Sequence, residues 1–276
     1  MENLLSSSIG MSKQVHCSKC SAQITLFDFP KTEYFVCQSC HYYFHFYATD
    51  EIRTNKRLDK PQFSPVLKLG SLGIIHDVEF KVIAYLEKKE QGNEYSWREY
   101  ILISKEKGYA TLAEFDGHWS FIAGENFFED FKTPISYGIS VGYKNVEYKL
   151  FNAYTPIVTA MLGELEWNIF EDRIKATEFI APPFMIVKEE STKPKQTNYY
   201  LGEYLDQSEI ARAFNIDFKT LPEQTGLGAI QPSKHYERWI SSANISAIAL
   251  VAVLLIFLAF CFFKPPKEVI NDDFMI

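Results

Sequence analysis

Residues 109–122 read Tyr-Ala-Thr-Leu-Ala-Glu-Phe-Asp-Gly-His-Trp-Ser-Phe-Ile. Apolar and polar residues alternate on both sides of the Asp116-Gly117 pair, which favours a two-residue hairpin turn because both positions can adopt a positive φ. Further short runs rich in aromatic and β-branched residues favour strands, and they lie at 66–70, 78–85, 97–103, 146–154, 160–167 and 175–187. The sequence therefore predicts a mainly β fold whose central domain is an antiparallel meander or barrel.

The composition indicates a folded protein without an extended basic surface. Hydrophobic residues make up 47% of the 276 residues and aromatic residues make up 16%, which is enough to bury a sizeable core. The net charge is −7 at neutral pH. Nucleic acids bind to clustered Lys and Arg side chains, and the sequence offers no such cluster. The charge therefore argues against nucleic acid as a partner.

Two pairs of cysteines near the N-terminus have the spacing of a metal site. Cys17 and Cys20 form one C-x2-C pair, Cys37 and Cys40 form another, and sixteen residues separate the pairs. Each pair can present two thiolates from one tight turn, and a hairpin brings the turns together. The pattern predicts a zinc-ribbon-like module over residues 13–48, in which these four cysteines bind a structural zinc ion.

Three other uses of the four cysteines are compatible with two C-x2-C pairs. Disulfides would suit a secreted domain, but the sequence shows no secretory signal, and cytosolic thiols stay reduced. A redox-active pair would need a βαβ context, which the strand pattern does not supply. Iron would use the same four ligands and is the alternative to zinc. Because four ligands fill a tetrahedral shell, we expect a structural site without an open position for catalysis.

A long uncharged segment lies near the C-terminus. Residues 245–263 carry no charged side chain, and the uncharged stretch extends back to Trp239. A helix of this length would cross the hydrocarbon core of a bilayer. The segment predicts a transmembrane helix over residues 239–263, with the lipid bilayer as a partner and residues 1–238 in the cytoplasm, beneath the bacterial inner membrane. Small residues at 242–247 favour a homo-oligomer through this helix.

One strand pattern occurs twice in the central domain. The run Val78-Glu-Phe-Lys-Val-Ile-Ala-Tyr85 is echoed by Val146-Glu-Tyr-Lys-Leu-Phe-Asn-Ala-Tyr154, which predicts two similar halves. A short helix follows them, with Ser208 as its N-cap. The predicted segments are a loose N-terminus at 1–12, the zinc-ribbon-like module at 13–48, a linker at 49–64, the β-domain at 65–215 with halves at 65–125 and 136–215, a stalk at 216–238, the transmembrane helix at 239–263 and a short tail at 264–276.

Several short motifs are spread through residues 65–215. They are Leu69-Gly-Ser-Leu-Gly73, Val78-Glu-Phe-Lys-Val82, Trp97-Arg-Glu-Tyr-Ile-Leu102, Gly163-Glu-Leu-Glu-Trp167, Ala181-Pro-Pro183 and Gly202-Glu-Tyr204. Together they resemble the bacterial family DUF4178. The resemblance implies a shared fold, with a cysteine-knuckle module before the domain and hydrophobic helices after it, in a membrane-associated or envelope-stress setting. No activity is established for the family, so the resemblance implies no catalytic residues.

The central domain contains few candidates for chemistry. Glu164 and Glu166 are two residues apart and could perform acid–base work if burial raised one pKa, although the strand pattern also fits two outward carboxylates. His76 and His118 lie in turns, and no motif places a nucleophile beside them. Four aromatic residues could line a ligand groove, although core packing is the plainer interpretation; they are Trp97, Tyr100, Trp119 and Trp167.

These features lead to two hypotheses about function. The first is a membrane-tethered, cytosol-facing scaffold or adaptor, which binds protein partners through the structural zinc ribbon and the β-domain in an envelope-associated system. The alternative is a membrane-surface enzyme of unknown reaction, with carboxylate and histidine chemistry in the β-domain. Convergence of Glu164, Glu166, His76 and His118 in one cleft would favour the enzyme.

Overall fold

The chain is described from a computed structural model, which covers residues 11–29, 31–46, 52–170, 174–192 and 195–232, together with Leu250 and Leu255. Strands dominate the described residues. They are β1 (Met11–His16), β2 (Gln23–Phe29), β3 (Tyr34–Val36), β4 (Tyr42–Phe46), β5 (Ile52–Arg57), β6 (Leu72–Ile75), β7 (Val78–Glu90), β8 (Ser96–Ser104), β9 (Gly108–Phe115), β10 (His118–Ala123), β11 (Ile135–Ser136), β12 (Ser140–Tyr143), β13 (Val146–Tyr154), β14 (Pro156–Leu165), β15 (Ile174–Ala181), β16 (Phe184–Thr192) and β17 (Lys195–Leu205). The helix α1 (Gln207–Ala213) and a short 3-10 turn (Phe218–Thr220) follow.

The hairpin predicted around Asp116-Gly117 is confirmed. Strands β9 and β10 pair in antiparallel register with Phe115 opposite His118. Asp116 has a φ of 49° and Gly117 a φ of 80°, as a turn with two left-handed residues requires. Along β9, the side chains of Ala110, Leu112 and Glu114 are buried, and the residues between them are not, so alternate residues face opposite sides of the sheet.

Most strands of the described chain belong to one large sheet. Its order is β11-β12-β13-β15-β16-β17-β10-β9-β8-β7-β14-β3-β4-β5, and β6 pairs with β7 beside β14. All the strand pairs are antiparallel. The expectation of a mainly β, antiparallel fold is therefore confirmed. The remaining strands, β1 and β2, form a separate hairpin.

The strands of the cysteine module continue the sheet of the central domain. Strand β3 pairs with β14, with Phe35 opposite Glu164 and Val36 opposite Gly163. Strand β5, which pairs with β4, lies within the segment 49–64 that was expected to be a linker. Residues 11–231 form one compact unit. The division of the chain into separate domains stays a prediction.

The main core lies on one face of the central strands. Its largest members are fully buried aromatic side chains from β7, β8 and β10, namely Phe80, Tyr85, Tyr100, Trp119 and Phe121. Helix α1 covers them with Ile210 and Phe214. The helix begins two residues earlier than predicted, because Asp206 and not Ser208 is the N-cap. The Asp206 side chain accepts from the Ser208 amide, and Glu209 completes a capping box.

The prediction of a single-pass membrane protein is corrected. A helix needs about 20 consecutive apolar residues to cross a bilayer, and no helix within the described ranges reaches that length and apolarity. The predicted span, 239–263, falls outside the described residues apart from Leu250 and Leu255. Part of the predicted stalk packs on the domain, since Leu221 joins the main core and Ile230 contacts Met185 and Val187.

The close approach of β14 to β7 leads to a prediction for Gly163. Its φ is +90°, and a Cβ added there would lie 2.1 Å from the carbonyl oxygen of Ile83 on β7. We expect Gly163→Ala to lower the free energy of unfolding by more than about 3 kcal/mol, because neither backbone can move aside.

Gly92 provides the matched control. It also has a positive φ, +80°, but a Cβ there would meet nothing within 4 Å. Gly92→Ala should therefore lower the free energy of unfolding by only about 1 kcal/mol, which is the strain of a positive φ. Denaturant unfolding of both variants measures the difference, and equal costs would contradict the close approach of β14 to β7.

Candidate metal centre

The four cysteines lie in two turns of the same construction. Cys17 follows β1, and Cys37 follows β3. In the first turn the amide of Ser21 donates to the carbonyl of Cys17 over 2.8 Å, and in the second the amide of His41 donates to the carbonyl of Cys37 over 2.8 Å. Ser21 and His41 occupy equivalent positions and both have a positive φ, 60° and 58°. The C-x2-C spacing therefore folds each pair into one tight knuckle.

The sulfur atoms of the two knuckles converge. The Sγ atoms of Cys17 and Cys40 are 3.5 Å apart, and those of Cys20 and Cys37 are 3.6 Å apart. All four Sγ atoms lie within 4.8 Å of one another. Ligands on a tetrahedron with metal–sulfur bonds of about 2.3 Å are about 3.8 Å apart. The arrangement matches the ligand shell of one tetrahedral metal ion, so these residues could hold one.

The protonation of the thiols depends strongly on a bound cation. Burial, together with the neighbouring thiols, raises the pKa of Cys40 to about 12 and raises the pKa of Cys37 as well. Burial alone would raise the pKa of Cys17, but the backbone N–H groups of Lys19 and Cys20 outweigh it and lower that pKa. The raised pKa values of Cys37 and Cys40 favour their protonated forms, so binding of a metal ion to these sulfurs would release protons.

The cysteine cluster closes one end of a small hydrophobic core. Cys17 and Cys37 are buried, Cys40 is half-buried and Cys20 is exposed. The buried sulfurs pack with apolar side chains from β1 to β4, among which Phe35 and Phe44 stack with ring centroids 5.2 Å apart. A module of this size buries too little apolar surface to be stable alone, and a metal ion at the four cysteines would add stabilisation.

A buried carboxylate attaches this module to the central domain. Glu164 lies on β14, and its side chain is 2% exposed. One of its oxygens accepts from the backbone amides of Phe27 and Asp28, the latter over 3.1 Å, and the other accepts from the Thr32 hydroxyl over 2.6 Å. Burial raises the pKa of Glu164 to about 7 although these donors lower it. Glu164 therefore clamps the β2–β3 turn onto β14.

The neighbouring candidate, Glu166, has a different environment. Glu166 is exposed and accepts from the hydroxyl of Tyr109 over 3.2 Å. The same hydroxyl lies 2.6 Å from a carboxylate oxygen of Asp28, near the end of β2. Burial and both carboxylates raise the pKa of Tyr109. Glu166 and Tyr109 thus extend the contact between the cysteine module and β9.

The two histidine candidates lie elsewhere on the domain. His76 is in the β6–β7 turn and contacts the Glu203 carboxylate, which raises the pKa of His76. His118 is buried beyond the β9–β10 turn, where its Nε2 donates to the Thr225 carbonyl over 3.2 Å and its Nδ1 accepts from the Tyr204 hydroxyl over 3.1 Å.

The structure does not bring all four candidate residues into one site, although Glu166 and His118 both line one large cavity. Glu166 is held at Tyr109, the start of β9, while His118 follows the other end of that strand, roughly 20 Å away at about 3.3 Å per residue. Glu164 is enclosed by the β2–β3 turn, and His76 pairs with Glu203. None of the four candidates therefore pairs with another of them.

Sequence reasoning missed the clamp formed by Glu164. The alternation along β14 placed Glu164 on an outward face, although the side chain is buried. The donors to its carboxylate come from residues 27, 28 and 32, more than 130 positions earlier in the chain. A pattern within one strand carries no information about so distant a partner.

The geometry of the four sulfurs predicts one metal ion per chain. Metal analysis of the purified full chain should give one equivalent, and Cys37→Ser should lose it because three sulfurs and a hydroxyl bind such an ion far more weakly. Chelation should also lower the melting temperature. Cys261→Ser is the control and should keep the metal, since Cys261 lies far from the four-cysteine pattern in the sequence. Metal-free wild-type protein, or equal metal content in both variants, would contradict the site.

Comparison with known proteins places the central domain in a family. Residues 68–207 match the family model described as "Domain of unknown function (DUF4178)", which covers half of the chain and includes β14 with Glu164. No curated protein and no solved structure matches. The matched segment begins after the cysteine module, so the resemblance seen in the short motifs is confirmed for the β-domain. The chain belongs to the DUF4178 family.

Proposed function

We propose that this protein is a scaffold or adaptor, in which a structural zinc ion stabilises a ribbon that extends the sheet of the DUF4178 domain. The observation that carries the proposal is the pairing of β3 with β14. Through it, a four-cysteine module and the family domain form one continuous surface. Catalysis is not part of the proposal, because four protein ligands fill the metal shell and the carboxylates and histidines lie apart.

Zinc suits the ligand set better than other common ions. Four thiolates in a tetrahedron are typical of structural zinc, and calcium and magnesium prefer oxygen. Iron is the alternative with the same ligands. It would give the purified protein visible absorption bands, whereas a zinc form is colourless, because the filled d shell of zinc has no such transitions.

The domain also fits an origin by duplication. Strands β6 to β10 form one five-stranded meander, and β12, β13, β15, β16 and β17 form another, with β10 and β17 paired between them. The two repeated sequence runs are the equivalent strands β7 and β13. Each follows a turn of two residues with positive φ, His76-Asp77 in the first case and Lys144-Asn145 in the second. Two similar halves would offer a wide surface for partners.

Exposed apolar side chains at the β11–β13 edge support protein binding. Ile139 is 79% exposed, and Leu150, whose amide donates to the Ile139 carbonyl over 3.0 Å, is 47% exposed. Ile135 and Tyr137 are also exposed on these strands and the connecting turn. We call these four residues the edge patch. Apolar side chains grouped in this way mark interaction surfaces on folded proteins.

The edge patch predicts the outcome of an affinity purification. The double variant Ile139→Asp/Leu150→Asp should fold normally but lose most of the proteins that wild type captures from a native bacterial extract, since a buried interface tolerates no unpaired charge. Quantitative mass spectrometry measures the loss for each captured protein.

A matched control lies on another edge. Leu72→Asp/Ile74→Asp also replaces two exposed apolar side chains, on β6, and should keep the captured proteins. If wild type recovers only itself, or if both double variants lose the same proteins, the proposal is wrong for this surface.

A further inference from the structure

A large cavity lies on the face of the sheet opposite the main core. Its volume is about 1530 Å³, and its walls come from β7 to β10 and from β13 to β17. Strand β13 continues directly into β14, which pairs with β7, so the row of strands curls back on itself around this space. Side chains at the centre of the curl are small, which keeps the space open; they include Thr111, Ala113, Ser120 and Ala176.

One end of the cavity is acidic. Glu90, Glu99, Glu178 and Glu189 line it, and Lys88 is the cation at this end among the described lining residues. The Lys88 ammonium is already neutralised, because its Nζ lies 2.6 Å from a carboxylate oxygen of Glu99. Glu178 and Glu90 have no cation beside them among the described residues, so they leave an excess of negative charge at this end of the cavity.

Glu178 has a carboxylate oxygen that is free to accept a further hydrogen bond. Its Oε1 accepts from the Tyr154 hydroxyl over 2.6 Å, and its other oxygen has no hydrogen-bond partner among the described residues. Burial raises the pKa of Glu178, and the charges of Glu99 and Glu90 raise it further. Glu178 is half-buried, and its carboxylate has other carboxylates as neighbours and no positive partner among the described residues, which favours a cation beside it.

Aromatic rings form the wall beside Glu178. The Trp97 indole donates its Nε1–H to Glu99 over 2.7 Å, which fixes the orientation of the ring. Trp97 and Tyr154 meet edge to face with centroids 5.3 Å apart, and Tyr200 also lines the cavity. Trp and Tyr rings attract cations over their faces, and the attraction is larger where water is excluded. Of the four aromatic groove candidates, Trp97 and Trp167 line this cavity, while Tyr100 and Trp119 belong to the core.

The spacing of the carboxylates argues against a bare metal ion. Among the described residues, the four cysteines are the group of such side chains close enough to share one ion. No three of the described cavity carboxylates come close enough for that. An organic cation, which carries its positive charge on a carbon framework, fits both the acidic end of the cavity and its aromatic wall.

We propose that this cavity binds an organic ammonium ion, with Glu178 as the counter-charge and the rings of Trp97 and Tyr154 as the wall around the cationic group. This binding is independent of the scaffold function, because none of the edge-patch residues lines the cavity.

A series of three six-carbon probes tests the charge preference. Isothermal titration of the metal-loaded full chain with n-hexylammonium, 1-hexanol and hexanoate keeps the apolar chain and changes only the head group. We expect n-hexylammonium to bind at least about tenfold more tightly than 1-hexanol, since a charge-assisted hydrogen bond contributes more than a neutral one. Hexanoate should not bind. No saturable heat from n-hexylammonium at millimolar concentration, or equal or tighter binding of either other probe, would overturn the proposal.

Variants locate the binding within the cavity. Glu178→Gln should weaken n-hexylammonium about tenfold and leave 1-hexanol unchanged. Glu190→Gln is the control, because Glu190 is on β16 beside Glu189 but pairs with Lys188 outside the cavity lining. Unchanged n-hexylammonium binding in Glu178→Gln would refute the assignment.

A second variant covers the case in which Glu178→Gln does not fold. Glu99→Gln leaves Lys88 without its carboxylate, so the preference for n-hexylammonium over hexanoate should fall. If the preference stays as in wild type, the acidic end of the cavity does not select the ligand, and the proposal fails.

Discussion

The pairing of β3 with β14, together with the Glu164 carboxylate that holds the β2–β3 turn, is the constraint on which the rest of the structure depends. Three backbone positions pair across this junction, and Glu164 satisfies two amides and one hydroxyl that would otherwise be buried without partners. Removing the carboxylate would leave those donors unpaired, which is costly in a water-free site. The junction therefore makes the cysteine module part of the family domain.

This coupling explains how a small metal site can influence a large sheet. The cysteines lie at the ends of β1 and β3. Strand β3 pairs with β14, which lies between β7 and the cysteine module in the sheet. Because β14 also returns the chain from β13 to β7, it closes the curl around the acidic cavity. The binding energy of a metal ion at the four cysteines would be folding energy for the module, and part of it would support β14 and the cavity wall.

Local signals in the sequence predicted the local structure well. Asp116-Gly117 specified its hairpin because the turn needs two positive φ values, and the cysteine spacing specified two knuckles because each needs one tight turn. The pairing of β3 with β14 and the burial of Glu164 could not be predicted, since they join residues more than 120 positions apart. The same limit applied to Trp97, whose partner Tyr154 comes from another strand, and to the cavity that they line. The apolar run at 239–263 was interpreted by length and composition alone, and no described helix supports a membrane span.

Hydrogen exchange with mass spectrometry, on the metal-loaded chain and after chelation, tests the coupling of the metal site to the domain most directly. The account predicts that chelation removes protection from β3 and β4 and also from the end of β14 around Gly163–Leu165, while β9, β10 and β17 stay protected. Loss of protection confined to the knuckles, with β14 unchanged, would contradict the claim that the two form one structural unit.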